Sequence, residues 1–211
     1  MGTVTSDFVP GGAPSARVVV LAGPSGSGKS RLAERLGLPV LRLDDFYREG
    51  DDPGLPHAFG IVDWDDPASW DPSAAVRCAI RLAHEGSVEV PMYDIPTSRR
   101  TGMRRLELGG CPLFVAEGIF AAEVVPDLRD AGVLAEALCL THRPVVTFVR
   151  RLARDLRESR KPPLTLVRRG WALLRAEPQV VARQVALGAE PCSPPEAERR
   201  IRAMLAAAGV S

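Results

Sequence analysis

Eight residues, Gly23-Pro24-Ser25-Gly26-Ser27-Gly28-Lys29-Ser30, stand directly between the run Arg17-Val18-Val19-Val20-Leu21-Ala22 and the amphipathic stretch Arg31-Leu32-Ala33-Glu34-Arg35-Leu36. A buried strand, a glycine-rich loop spelling G-x-x-x-x-G-K-[ST] and a helix, in that order, commit the chain to an α/β fold built around a phosphate-binding loop. Glycines let successive backbone N–H groups turn towards an anion, and the helix that starts near Lys29 adds its positive dipole end. Gly23, Ser25, Gly26, Ser27, Gly28 and Arg31 line or flank this cradle. Lys29 supplies a point charge to the β and γ phosphates of a nucleoside triphosphate, and the Ser30 hydroxyl is placed to complete a Mg2+ shell. The chain holds two lysines, Lys29 and Lys161, and arginine carries the rest of its side-chain positive charge. A sequence that otherwise uses arginine keeps a slim ammonium where a planar fork would not serve. The ligands implied are ATP and Mg2+.

Length and charge bound the rest. At 211 residues the chain suits one well-buried domain and is too short for two of ordinary size. We expect a flexible tail over 1–15 and a single domain over 16–211. A formal net charge of +1 gives no general attraction to nucleic acid or membrane. Four cysteines without a C-x-x-C pair and three scattered histidines argue against zinc. With no basic-then-apolar leader and no apolar run near 18 residues, the expectation is a cytoplasmic protein with reduced thiols. Its expected partner is a small-molecule substrate; a homo-oligomer is compatible with these features.

Along the chain, Leu38–Leu43 reads as a second strand, and Asp44-Asp45-Phe46-Tyr47 stands at its carboxyl end, where open α/β sheets place ligands. Residues 48–71 show no lasting period and read as an ordered loop over a site. Asp71 as N-cap and Pro72 at the first position predict a helix over 72–85, with Val76, Ile80 and Ala83 on one face. Ser87–Asp94 reads as an edge strand or hairpin continued by 99–108. Cys111–Gly118 and Ala137–Thr141 read as further strands, and 194–208 as a closing helix. Alternating strands and helices around one phosphate loop predict three layers, α/β/α, with a central parallel sheet. Arginines crowd two helical patterns between Arg143 and Arg175, an expected small helical lid over about 143–178.

Phosphoryl transfer needs a phosphate cradle, Mg2+, a group that orients or deprotonates the acceptor, and positive charge over the moving phosphoryl. Asp44 is the candidate base, with Asp45 its rival; in an extended segment neighbouring side chains point opposite ways, so one of the two should face the nucleotide. Glu117, ending an apolar strand, is read as a solvated carboxylate that reaches Mg2+ directly or through water. Arg150, Arg154 and Arg157 share one helical face that could close over ATP. Trp64, Trp70, Phe59 and Tyr93 lie in or beside the loops, either stacking a planar base or packing the loop on the core.

Taken together, these motifs resemble the uridine kinase family of P-loop nucleoside kinases, over about residues 17–161. Leu43-Asp44-Asp45-Phe46-Tyr47 is similar to that family's D-[SD]-F-Y segment, which implies that Asp44 is the catalytic base and Tyr47 a substrate contact. Asp63-Trp64-Asp65-Asp66-Pro67-Ala68-Ser69-Trp70-Asp71 resembles F-D-x-P-x-x-F-D and maps a ribose-binding acid onto Asp65. Pro91-Met92-Tyr93-Asp94 is similar to P-x-Y-D, placing Tyr93 at the base pocket with Arg99 beside it. Glu117-Gly118-Ile119 resembles the E-G-[IV] strand end that serves Mg2+, and Arg150-Arg151-Leu152-Ala153-Arg154-Asp155 the lid, with Arg150 a substrate contact and Arg154 catalytic. The resemblance implies an ATP-dependent kinase of the 5′-hydroxyl of uridine or cytidine. The chain departs from the family where a pyrimidine-reading His is replaced by Ser98, and Thr147 stands where a lid arginine is usual. A sugar, pantothenate-like or antibiotic alcohol is therefore the rival acceptor, and a regulatory ATP-binding module the rival of another class. No [NT]-K-x-D guanine-reading motif is present.

Overall fold

Five successive residues with no exposed surface, Val18 to Ala22, can exist only in a strand covered on both faces. The computed structural model of the chain describes residues 12–24, 26–58, 61–141 and 178–209. In chain order its elements are β1 (Arg17–Ala22), α1 (Lys29–Leu36), β2 (Val40–Arg42), a 3-10 turn (Leu43–Phe46), β3 (His57–Ala58), β4 (Ile61–Val62), a 3-10 turn (Pro67–Ser69), α2 (Pro72–Glu85), β5 (Ser87–Asp94), β6 (Arg99–Glu107), β7 (Leu113–Glu117), a 3-10 turn (Ala121–Val124), α3 (Val125–Asp130), β8 (Leu134–Leu140), α4 (178–186), β9 (Glu190–Cys192) and α5 (Pro194–Ala207). Five strands form one sheet in the order β2-β7-β1-β8-β9, every pair parallel.

Period-2 alternation splits β1 between two cores. Val18, Val20 and Ala22 join Leu41, Phe114, Ala116 and the buried sides of α2 and α3. Val19 and Leu21 join Leu32, Leu36 and Ile201 on the opposite face, beneath α1 and α5. An Arg35–Glu198 ion pair at 2.7 Å ties those two helices. The result is the expected three-layer α/β/α arrangement around a parallel sheet. Residues 87–107 form a separate antiparallel hairpin of β5 with β6, the second of the two forms expected for that segment. No helix among the described residues is long and apolar enough to cross a membrane.

Several boundaries differ from the sequence reading. Strand β2 stops at Arg42 because Leu43 opens a 3-10 turn. Strand β8 begins three residues earlier than expected, extended by pairing with β1. Ser15, expected in the loose tail, is anchored: its hydroxyl donates to the Ala83 carbonyl at 2.8 Å. Asp71 caps α2 by accepting the Ala74 N–H at 2.9 Å, with Pro72 at the first position. The buried face of α2 is Ala75, Ala79, Leu82 and Ala83, while Val76 and Ile80 are only half-buried, because alanines let the helix sit close to the sheet. The lid expected over 143–178, its arginines Arg150, Arg151, Arg154, Arg157 and Arg160, Thr147, and the loop residues Ser25 and Phe59 fall outside the described residues, Pro178 excepted.

Residues 48–69 are closed into a loop by a β-bridge between Tyr47 and Trp70. Trp70 is fully buried and its indole N–H donates to the Leu43 carbonyl at 2.6 Å, locking the loop base onto the strand end that carries Asp44. Trp70→Phe strands that carbonyl and leaves a void, and should lower stability by about 2 kcal/mol. Urea denaturation checks this; a change under about 0.5 kcal/mol would show that the lock is not structural.

Candidate active site

At the carboxyl end of β1 the chain turns through Gly23, whose φ of 137° and close approach to β8 require glycine. A Cβ there would sit 2.6 Å from the Leu140 carbonyl oxygen and 2.8 Å from Ser27 Oγ. Gly28, at φ 92°, is the residue before α1. Lys29 is buried, and its ammonium donates to the carbonyls of Gly23 at 2.8 Å and Pro24 at 3.2 Å, holding the loop closed around its own charge. The Ser27 hydroxyl is buried and has no hydrogen-bond partner among the described residues. A buried donor left over inside a glycine loop at a helix N-terminus, beside a lysine, fits a phosphate. Arg31, expected to flank the cradle, is exposed on α1.

Strands β7 and β2 bring acids to the same end. Register places Glu117 beside Leu21 of β1 and beside Arg42 of β2. Ser30 Oγ donates to Glu117 Oε1 at 3.1 Å. Glu117 was expected to be solvated; it is buried, and burial pushes its carboxyl above the usual range, with the Lys29 charge opposing the shift. A hard oxygen pair of this kind, hydroxyl with carboxylate next to a phosphate cradle, is the donor set Mg2+ takes.

Asp44 Oδ1 accepts the Ile119 N–H at 3.0 Å. The space for it exists because residue 118 is glycine: a Cβ there would lie 2.8 Å from Asp44 Oδ1 and 2.9 Å from Leu43 Cβ. Asp45 was expected to face away. It does not, because Leu43–Phe46 is a 3-10 turn and successive side chains there do not alternate. Asp45 accepts the Tyr93 N–H at 3.4 Å and lies 3.8 Å from the Arg104 guanidinium; burial raises its carboxyl pKa. A cleft of about 260 Å3 is lined by Ser30, Arg42, Asp44, Asp45, Tyr93, Ile95 and Glu117.

The residues read as substrate contacts divide. Tyr47 packs between Trp64, Tyr93 and Phe120 with ring centroids 5.6 to 6.0 Å away, and its hydroxyl donates to the Trp64 carbonyl at 3.2 Å. Burial and the charges of Asp44 and Asp65 keep that phenol protonated. Tyr93 lines the cleft, yet its hydroxyl donates to the Arg48 carbonyl at 2.9 Å. Asp65 is exposed beside Tyr47, outside the residues that line the cleft. Arg99 pairs with Asp51 at 3.3 Å and borders a different, larger cavity of about 500 Å3, together with Trp64 and Ser98. Ser98 holds a left-handed φ of 54° at the β5–β6 turn, where its carbonyl accepts the Gly50 N–H at 2.8 Å.

Two residues escaped the sequence reading. Arg42 lines the cleft, and its place one residue before Leu43-Asp44, at a strand's carboxyl end, was the available signal. Gln184 of α4 is buried, accepts from the Cys139 thiol at 3.1 Å and donates to the Ile119 carbonyl at 3.5 Å, bracing the turn that holds Asp44; no sequence pattern marks it.

No family model matches the chain. It is 28% identical over 158 residues to the inorganic pyrophosphatase TTM1 of Arabidopsis thaliana, a match that takes in 71% of this chain and 22% of that protein, so the chain spans about a fifth of that relative's length. Among solved structures, a Silicibacter sp. TM1040 protein described as a fructose transport system kinase superposes with a TM-score of 0.59 at 20% identity, covering 83% of this chain and 88% of that one. YFH7 of Saccharomyces cerevisiae, described as a P-loop-containing kinase with a circular permutation, gives 0.59 at 12% identity over 82% and 89%. The fold is that of a P-loop NTPase. In this fold the glycine-rich loop, Glu117 and Asp44 meet at the carboxyl edge of adjacent parallel strands, where such sheets bind ligands.

Asp44→Asn keeps an oxygen that can accept the Ile119 N–H, so it should shift stability by less than about 1 kcal/mol. Gly118→Ala forces Asp44 and Leu43 apart and should cost about 1–3 kcal/mol. Urea unfolding of the two variants checks the order, and equal stabilities would contradict the packing described.

Proposed function

We propose that the chain is an ATP-dependent phosphotransferase acting on an alcohol of a small molecule. The observation that carries this is the 260 Å3 cleft in which Asp44 and the Ser30–Glu117 pair face one another beside the phosphate loop. A nucleotide-only module would need the loop and no second carboxylate across the cleft. In this reading residues 16–211 work as one domain, with the arginine-rich stretch over 143–178 as its lid.

The loop from Gly23 to Ser30 binds the triphosphate, with backbone N–H groups and the Lys29 ammonium on its anionic oxygens. Ser30 and Glu117 would hold Mg2+, which when bound neutralises charge on the phosphates. Asp44, fixed by the Ile119 N–H, orients the acceptor hydroxyl and takes its proton as the oxygen attacks the γ-phosphorus and the bond from that phosphorus to the β,γ-bridging oxygen breaks, releasing ADP. Arg154, from the lid stretch, supplies positive charge over the moving phosphoryl, and Arg150 helps hold the acceptor. The closing lid excludes water, which favours transfer over hydrolysis.

The resemblance to uridine kinases makes uridine and cytidine the first acceptors to test, with Asp65, Tyr47, Tyr93 and Arg99 as their contacts. Two observations favour another alcohol: Ser98 replaces the pyrimidine-reading His, and the Tyr93 hydroxyl is already committed to the Arg48 carbonyl. The pyrophosphatase activity in the name of TTM1 belongs to a protein about three times longer, and phosphate release from pyrophosphate serves as the control.

With Mg-ATP and a panel of nucleosides, sugars and pantothenate, mass spectrometry should find one phosphorylated alcohol. Asp44→Asn should lower its kcat by about 10²–10⁴ while nucleotide affinity holds. Phosphate release from pyrophosphate without any phosphorylated alcohol would sink the kinase reading.

A further inference from the structure

The cleft holds one guanidinium among its three carboxylates. Arg42 lies opposite Glu117 in the β2–β7 register and lines the cleft beside Asp44 and Asp45. Its positive charge opposes the burial-driven rise in the pKa of Asp45 and Glu117, yet among the described residues its guanidinium makes no hydrogen bond and no ion pair. Arg104 of β6 lies 3.8 Å from Asp45, outside hydrogen-bond reach, with its side chain one-third exposed. Two planar forks therefore lie near one carboxylate, and neither is hydrogen-bonded to it.

The other two acids are accounted for elsewhere. Glu117 faces Ser30, and Asp44 takes the Ile119 N–H. Asp45 thus stands beside two guanidiniums whose N–H donors it does not take up. A guanidinium with open N–H donors is the group that receives carboxylates and phosphates in bidentate fashion, and a loose 3.8 Å pairing is readily exchanged for such contacts.

We infer that the acceptor alcohol is itself an anion, bearing a carboxylate or phosphate monoester that Arg42 and Arg104 receive while Asp44 addresses its hydroxyl. The inference rests on the kinase reading and adds the acceptor's charge to it. It sets a compact hydroxy acid or sugar phosphate against a neutral nucleoside.

The test compares matched pairs at fixed ionic strength: D-glycerate with glycerol, pantothenate with panthenol, ribose 5-phosphate with ribose, and uridine beside them. Binding is read by calorimetry with a non-hydrolysable ATP analogue present, and transfer by mass spectrometry with Mg-ATP. The charged member of at least one pair should bind roughly tenfold or more tightly than its neutral partner. Arg42→Gln and Arg104→Gln should erase that preference through KM, with a much smaller effect on kcat. Equal binding within every pair, transfer to uridine alone, or a preference that survives both substitutions would each overturn the inference. Charged members that bind tightly and lose affinity in Arg42→Gln, but are never phosphorylated, would uphold the anion site and sink the kinase reading instead.

Discussion

The site depends on strand register more than on any single bond. Glu117 reaches the phosphate loop because β7 lies parallel to β1 with Glu117 opposite Leu21, and β2 lies parallel to β7 with Arg42 opposite Glu117. Shifting the β1–β7 pairing by one residue would turn Glu117 to the other face of the sheet and part it from Ser30, and shifting β2–β7 would carry Arg42 away from Glu117. The register is held by the buried faces of three strands, where Val18, Val20, Leu41, Phe114 and Ala116 fill one core and Val19, Leu21 and Val115 the other. Hydrophobic packing thus fixes where the carboxylates stand.

A second layer of short polar contacts refines that placement. Asp44 is fixed by the Ile119 N–H, the Ile119 carbonyl is held by Gln184, and Gln184 is held by the Cys139 thiol. Gly118 leaves the room this arrangement needs. Burial raises the carboxyl pKa of Glu117 and Asp45, so each relies on nearby cations and N–H donors for its charged form. Under the function we propose, a site built this way is pre-organised for a cation at one end and an acceptor at the other.

The phosphate loop, the three-layer class and the strand ending in Glu117 were legible because each follows from local pattern: apolar runs, glycine spacing, and an acid where an apolar run stops. The capping of α2 by Asp71 and Pro72 was legible for the same reason. Less legible was whatever depended on non-local geometry. The 3-10 turn that turns both Asp44 and Asp45 into the cleft reads as an extended segment in the sequence, since nothing in Leu43-Asp44-Asp45-Phe46 marks the change. The burial of Glu117 comes from neighbours 87 residues away in sequence. Tyr47 and Tyr93 carry the motif of a base pocket, yet their hydroxyls close the loop on itself by bonding the Trp64 and Arg48 carbonyls. Arg42 stands at a strand end in the sequence, and only the fold brings it into the cleft.

The central claim is that Ser30 and Glu117, drawn together at 3.1 Å, form the cation end of a nucleotide site. Titrating a non-hydrolysable ATP analogue with and without Mg2+ into the native chain and into Glu117→Gln tests it most directly. The account predicts that Mg2+ strengthens binding about tenfold or more in the native chain and much less in the variant. Binding that ignores Mg2+, or a variant that responds to it fully, would contradict it.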